Sequence, residues 1–122
     1  MSIRKFSKFN NVRTKYKGVT YDSRAEAQYA EILDYLEQEG QIKKIKRQVR
    51  FPLPNIDGSR TLRYVADFVV TSKTDKEYII DVKGLLTPSN KVKIAYAQEM
   101  HDITVHLVPT TGPNKFDTSF IL

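Results

Sequence analysis

Apolar residues follow two different rhythms along the chain, and each change of rhythm marks a new element. Behind Asp22 and Ser23, the residues Ala25, Tyr29, Ile32, Leu33 and Leu36 recur at three- and four-residue spacing. That spacing places them on one stripe of a helix over residues 23–39, and Gly40 follows as a stop. From Ile45 the pattern becomes alternation: Val49, Phe51 and Leu53 fall on one side, and Lys44, Lys46, Gln48 and Arg50 on the other. This predicts a strand ended by the turn signals Pro54-Asn55 and Asp57-Gly58. Leu62–Thr71 and Glu77–Lys83 are two further strand-like runs, and the short polar turn Ser72-Lys73-Thr74-Asp75-Lys76 between them predicts an antiparallel hairpin. Gly84 ends the third strand, Thr87-Pro88-Ser89-Asn90 offers a helix start, and Val92, Ala95, Tyr96 and Met100 form a second stripe. Ile103–Val108 reads as a fourth strand. The expected fold is α/β, in the order α-β-β-β-α-β, with a central mixed sheet flanked by helices. The tail, residues 109–122, has an apolar end that suits either an edge strand or a dimer contact.

A length of 122 residues leaves room for one domain, 1–122, with a basic N-terminal arm over residues 1–17. The absence of cysteine excludes a disulfide framework, a cysteine nucleophile and a thiolate zinc site, and fits a reducing compartment. No apolar run is long enough for a membrane helix and no signal-peptide core is present, so a cytoplasmic protein without membrane contact is expected. Twenty Lys and Arg against 14 Asp and Glu give a net charge of +6, which favours a polyanionic partner. The surplus is clustered. No acid precedes Asp22, whereas Arg4, Lys5, Lys8, Arg13, Lys15 and Lys17 do, interleaved with Phe6, Phe9 and Tyr16. A second acid-free stretch carries Lys43, Lys44, Lys46, Arg47 and Arg50. Neutralisation of phosphates with stacking on bases explains such a pattern, and a plain solvated face explains it too.

The chemistry concentrates in the hairpin. Strand alternation puts Leu62, Tyr64, Ala66, Phe68 and Val70 on one face of the second strand, and Arg63, Val65, Asp67, Val69 and Thr71 on the other. Asp67 and Asp81 are equidistant from Thr74, so a hairpin centred there sets them across from each other with Cβ atoms about 5 Å apart. Lys83 shares the Asp81 face about 6.6 Å along the strand. Two carboxylates at that distance persist when one is protonated or when a cation lies between them, and hard oxygen ligands suit Mg²⁺. A wet face on which Asp81 pairs with Lys83 is the plainer alternative. Phosphodiester hydrolysis needs such residue types: a metal lowers the pKa of bound water and neutralises phosphoryl oxygens, and a nearby lysine orients the water or offsets developing charge.

Asp67 followed by Asp81-Val82-Lys83, on two neighbouring strands between two helices, resembles the PD-(D/E)XK nuclease superfamily. The segments Tyr21-Asp22-Ser23-Arg24-Ala25-Glu26-Ala27, Tyr64-Val65-Ala66-Asp67-Phe68 and Asp81-Val82-Lys83-Gly84 with Thr87 resemble, more narrowly, small phage-encoded members similar to Holliday-junction resolvase-type endonucleases. The likeness spans residues 12–108. It implies a restriction-endonuclease-like core, Mg²⁺ (or Mn²⁺) held by Asp67, Asp81, the Val82 carbonyl and Glu26, and Lys83 acting at the attacking water. It also implies DNA cleavage to 5′-phosphate and 3′-hydroxyl ends, guided by branched or flap structure, with a homodimer plausible and phage replication or recombination as the setting. Ala66 stands where the superfamily name expects proline, and Asp81 is shorter than glutamate. Glu26 has a second reading as the glutamate of a capping box, Ser23-Arg24-Ala25-Glu26. The candidate nucleic-acid contacts are Lys15, Lys17, Arg24, Lys43, Lys44, Lys46, Gln48, Arg63, Lys91 and Lys93. His101 and His106 lack a helical metal spacing and are assigned to a helix end and a strand surface. A catalytically silent nucleic-acid-binding module of the same fold is the alternative function.

Overall fold

A computed structural model describes residues 13–55 and 61–122. Most of the basic arm, including Arg4, Lys5 and Lys8, and the expected Asp57-Gly58 turn lie outside the described residues. The order of elements is β1 (Thr14–Tyr16), β2 (Val19–Tyr21), α1 (Arg24–Gln38), β3 (Ile42–Pro54), β4 (Thr61–Ser72), β5 (Glu77–Lys83), α2 (Pro88–His101) and β6 (Val105–Pro109). Strands β3-β4-β5-β6 form one four-stranded sheet, antiparallel except for the parallel β5–β6 pair. The protein is thus α/β with a mixed sheet. One apolar cluster lies on the α1 side, with Tyr29, Leu33, Phe68 and Ile80 all 0% exposed. The other lies on the α2 side, around Leu53, Ala66, Ile94 and Ala97.

Local chemistry explains the elements. Ser23 caps α1, its hydroxyl accepting from the Glu26 amide at 3.0 Å. Gly40, at φ 75°, ends the helix in a Schellman turn, the Gln41 amide donating to the Leu36 carbonyl at 2.9 Å and the Gly40 amide to Glu37 at 3.1 Å. Thr87 caps α2 ahead of Pro88 at its first turn. The β4–β5 register, Phe68 opposite Ile80 and Val69 opposite Ile79, is the one that the centre at Thr74 predicts.

Four features differ from expectation. Residues 14–21, partly assigned to the basic arm, form a hairpin whose turn residues Lys17 and Gly18 take φ 50° and 80°. Positive φ at both positions suits a two-residue hairpin loop, and β-prone Thr14, Tyr16, Val19 and Tyr21 around a glycine were the available signal. Most of the stripe expected to bury α2 is instead outside: Val92 is 68% exposed and Met100 46%, Ala95 is exposed too, Tyr96 packs on the α2-side cluster, and Ile94 and Ala97 make the buried contact. The expected single face of β4 is divided, since Leu62, Tyr64 and Ala66 pack on the α2 side and Phe68 and Val70 on the α1 side. β3 divides at the same level, with Ile45 against the α1 cluster and Val49 and Phe51 against the α2 cluster. Finally, beyond Pro109, which ends β6, the tail forms no strand. It turns back over the sheet, buries Ile121, stacks Phe120 on His106 at 4.7 Å, and is tied to α1 by the Tyr29 hydroxyl donating to the Asp117 carbonyl at 2.9 Å.

Candidate functional site

The two faces exchange at Gln48 of β3 and Asp67 of β4, which stand opposite each other between the pairs Arg47–Phe68 and Val49–Ala66. Gln48 takes φ 53°, in the left-handed region that a residue with a side chain seldom enters. One such residue resets the alternation of a strand and turns the next side chains to the other face. On the other edge of β4 the ladder to β5 also gives way. Side chains take over: the Asp67 amide donates to Asp81 Oδ1 at 3.0 Å, and the Val82 amide donates to Asp67 Oδ2 at 2.8 Å. Each aspartate therefore satisfies a backbone donor of the opposite strand.

A cleft of about 720 Å³ opens at this point. Its walls include Arg24, Glu26 and Gln28 from the start of α1, Gln48 and Val65 from the sheet, and Asp67, Val82 and Lys83 at the strand break. Leu85, Thr87 and Asn90 line it ahead of and within α2, and Thr110, Thr111, Lys115 and Phe116 line it from the tail. Glu26 is 6% exposed and Asp67 6%, so both carboxyls are nearly closed off from solvent. Burial pushes Glu26 up to about 7, Asp22 adds to the rise, and Lys83 opposes it. Asp67 is pushed up to about 8 by burial and then by repulsion from Asp81 and Glu26, against the pull of Lys83 and the Val82 amide. Glu26 and Asp67 line the same cleft and influence each other's titration, and the Gln48 amide donates to Glu26 Oε2 at 3.1 Å. Glu26 thus turns into the cleft toward Gln48 and Asp67, and the capping-box reading holds only for the Ser23 half.

Asp81 is 1% exposed and is not on the cleft wall. It turns toward the Tyr64 hydroxyl, which donates to its Oδ2 at 2.7 Å. Burial and the Asp81 charge hold the Tyr64 hydroxyl far above the usual phenol range, so it stays a donor. Among the described residues, no group of three or more His, Cys, Asp and Glu is arranged to hold a metal ion. The structure brings Glu26, Asp67 and Lys83 together and sets Asp81 to one side.

The basic candidates divide in the same way. Arg24 lines the cleft, whereas Lys15, Lys44, Arg63, Lys91 and Lys93 are exposed outside it. Lys17 lies 3.8 Å from Asp34, Lys43 2.7 Å from Asp75 and Lys46 3.9 Å from Glu77, so these three already face the protein's own acids. His101 contacts the Pro52 carbonyl at 2.8 Å, and His106 packs between Tyr78 and Phe120; neither lines the cleft. Sequence reasoning missed Lys115, Thr110 and Thr111, whose place depends on how the tail folds back. It also missed Tyr64 as the partner of Asp81.

Fold and site define an α/β protein with two nearly buried carboxyls and a lysine lining one cleft at a break in its sheet. The chain belongs to the family described as Protein of unknown function (DUF1064), which matches residues 6–111. No curated protein and no solved structure matches it. Among the described residues no helix is long and apolar enough to cross a membrane.

Proposed function

We propose that the chain is a Mg²⁺-dependent endonuclease that hydrolyses phosphodiester bonds in DNA, with branched junctions or flaps as preferred substrates. The observation that carries this reading is the Glu26–Asp67 pair, two nearly buried carboxyls held beside Lys83 at the wall of an open cleft. Their pKa values are raised mainly by burial, with neighbouring carboxylates adding to the rise beyond what Lys83 offsets, and a hard divalent cation would stabilise the charged forms. Glu26 and Asp67 would hold it, and the PD-(D/E)XK resemblance adds Asp81 and the Val82 carbonyl. The ion would supply an acidified water and charge neutralisation at phosphorus. Each Asp81 oxygen accepts one hydrogen bond and keeps a further acceptor site.

The protein's own groups have separate tasks. Lys83 presents its ammonium beside Glu26 and Asp67, where it orients a water and offsets charge gathering on the phosphoryl oxygens. Arg24 and Lys115 stand on the cleft wall as cations for the phosphates. The order α1-β3-β4-β5-α2-β6 supports a restriction-endonuclease-like core. The withdrawn position of Asp81 favours one second reading, a nucleic-acid-binding module without cleavage.

Incubation with a four-way junction, a flap and plain duplex DNA, in Mg²⁺, Mn²⁺ or EDTA, separates the two. The nuclease reading expects cleavage in Mg²⁺ or Mn²⁺ only, reduced at least a hundredfold by Asp67→Asn and by Lys83→Ala. Equal cleavage by wild type and both variants removes the proposed site, and metal-independent binding without cleavage establishes the silent module.

A further inference from the structure

The long β3–β4 ribbon runs past the end of the rest of the sheet. β4 pairs with β5 only over Phe68–Thr71, whereas β3 and β4 stay paired out to Pro54 and Thr61. Beyond the Gln48–Asp67 break the ribbon has one covered side. Val49, Phe51, Leu53, Leu62 and Tyr64 pack in the α2 cluster, and His101 and Tyr96 of α2 bond to the carbonyls of Pro52 and Pro54. Alternation then puts Arg50 and Arg63 on the opposite side, the side on which Gln48 and Val65 line the cleft. Both arginines are exposed, and among the described residues neither makes an ion pair. The sequence places Arg50 in one run with Lys43, Lys44 and Lys46, yet the break at Gln48 separates them. Lys44 and Lys46 fall on the other face, and Lys43 and Lys46 are engaged with Asp75 and Glu77.

We infer that the Arg50–Arg63 side of this ribbon is the nucleic-acid track of the cleft, binding the phosphates of one DNA backbone as it leaves the Asp67 site on a single side. Spacing supports this. Arg50 stands opposite Val65, two residues from Asp67, and Arg63 lies four residues from it. At the strand rise these steps are about 7 Å and about 14 Å from Asp67. Successive phosphates of one DNA strand are separated by more than the about 3.4 Å that each nucleotide advances along the helix axis, so the two cations meet phosphates within about four nucleotides of the site. Phosphate contacts of this kind position a strand without reading its bases.

The inference rests on the DNA reading above, and the test separates the two. Binding of the full chain to a fluorescent DNA duplex and to a four-way junction is measured by anisotropy in EDTA across a salt series. Each phosphate contact contributes about 0.9 to the slope of log K against log salt. Arg50→Gln with Arg63→Gln should lower that slope by about 2 and weaken binding at least tenfold, with an unchanged melting temperature. Arg50→Lys with Arg63→Lys should keep the wild-type slope, and Lys43→Ala with Lys46→Ala should leave it within about 0.5. Wild-type slope in the double Gln variant, or an equal loss in the Lys43/Lys46 variant, overturns the track and leaves the DNA reading standing. Absence of any wild-type binding to either DNA overturns both.

Discussion

Gln48 holds a left-handed backbone and its side chain reaches Glu26, a combination that assigns it a positioning role at the site. The αL conformation costs a residue with a Cβ about 1–2 kcal/mol, and asparagine is among the side chains that tolerate it best. Gln48→Asn therefore keeps the backbone and the amide but is one methylene too short for Glu26. The expected outcome is an unchanged or higher melting temperature together with a 10–100-fold loss of Mn²⁺ affinity by titration calorimetry, the usual scale for removing a group that orients a ligand. A fall in melting temperature with unchanged affinity would mark Gln48 as merely structural. That Asp67 and Asp81 stand across from each other was legible in the sequence because hairpin register depends only on counting from the turn, whereas the turn of Asp81 toward Tyr64 and away from the Lys83 side of the cleft was not. The relation of Asp67 to Glu26 was not legible from residues alone, since a capping box and a ligand have the same spacing. Gln48 was a candidate from the sequence, but its departure from the alternation of β3 was not legible, because a period of two assumes that no strand residue leaves the extended region.

At the scale of elements, the close approach of the β5 end to the returning tail shapes one wall of the cleft. A Cβ on Gly84 would lie 2.8 Å from Thr110 Oγ1, nearer than real Cβ contacts come. Gly84→Ala therefore has to displace Thr110, which itself lines the cleft. A destabilisation of about 1 kcal/mol is expected by urea unfolding, the low end of the cost of overpacking, because both residues lie at the surface. Adding Thr110→Ala removes the clashing hydroxyl, so the pair should recover at least half of the loss; strictly additive effects would disprove the contact. The helices, the hairpin and β6 were legible because caps, stops and periodicity are local. The exposed stripe on α2 was not, because that helix has apolar residues on two sides and only the sheet selects Ile94 and Ala97. The tail was undecidable for a related reason: Tyr29 and Asp117 meet across 88 positions of sequence.

For the whole molecule, the raised carboxyls tie folding stability to pH and to cations. In the unfolded chain Asp and Glu titrate near 4. In the folded protein Glu26 and Asp67 keep their protons to about 7 and about 8. Between these limits the native state binds more protons than the unfolded one, so stability is greatest below pH ~4 as far as this pair is concerned and is lost as pH rises through 7 and 8. The cost is first the burial of the charged carboxylates and then their mutual repulsion, and a divalent cation bound only by the folded site offsets it increasingly as its concentration exceeds its dissociation constant. Urea midpoints in EDTA should fall between pH 5.5 and pH 8.5, and millimolar Mg²⁺ or Mn²⁺ should restore most of the loss at pH 8.5. Asp67→Asn replaces the titrating carboxyl by a neutral amide of the same shape, so it should flatten the pH profile in EDTA and abolish the response to the ion. A wild-type midpoint that stays level across this range in EDTA would show that the pair is not held protonated. A normal pH loss that Mg²⁺ and Mn²⁺ leave unrepaired would instead show that the carboxyls repel one another without forming a cation site, and would transfer the function to the silent nucleic-acid module.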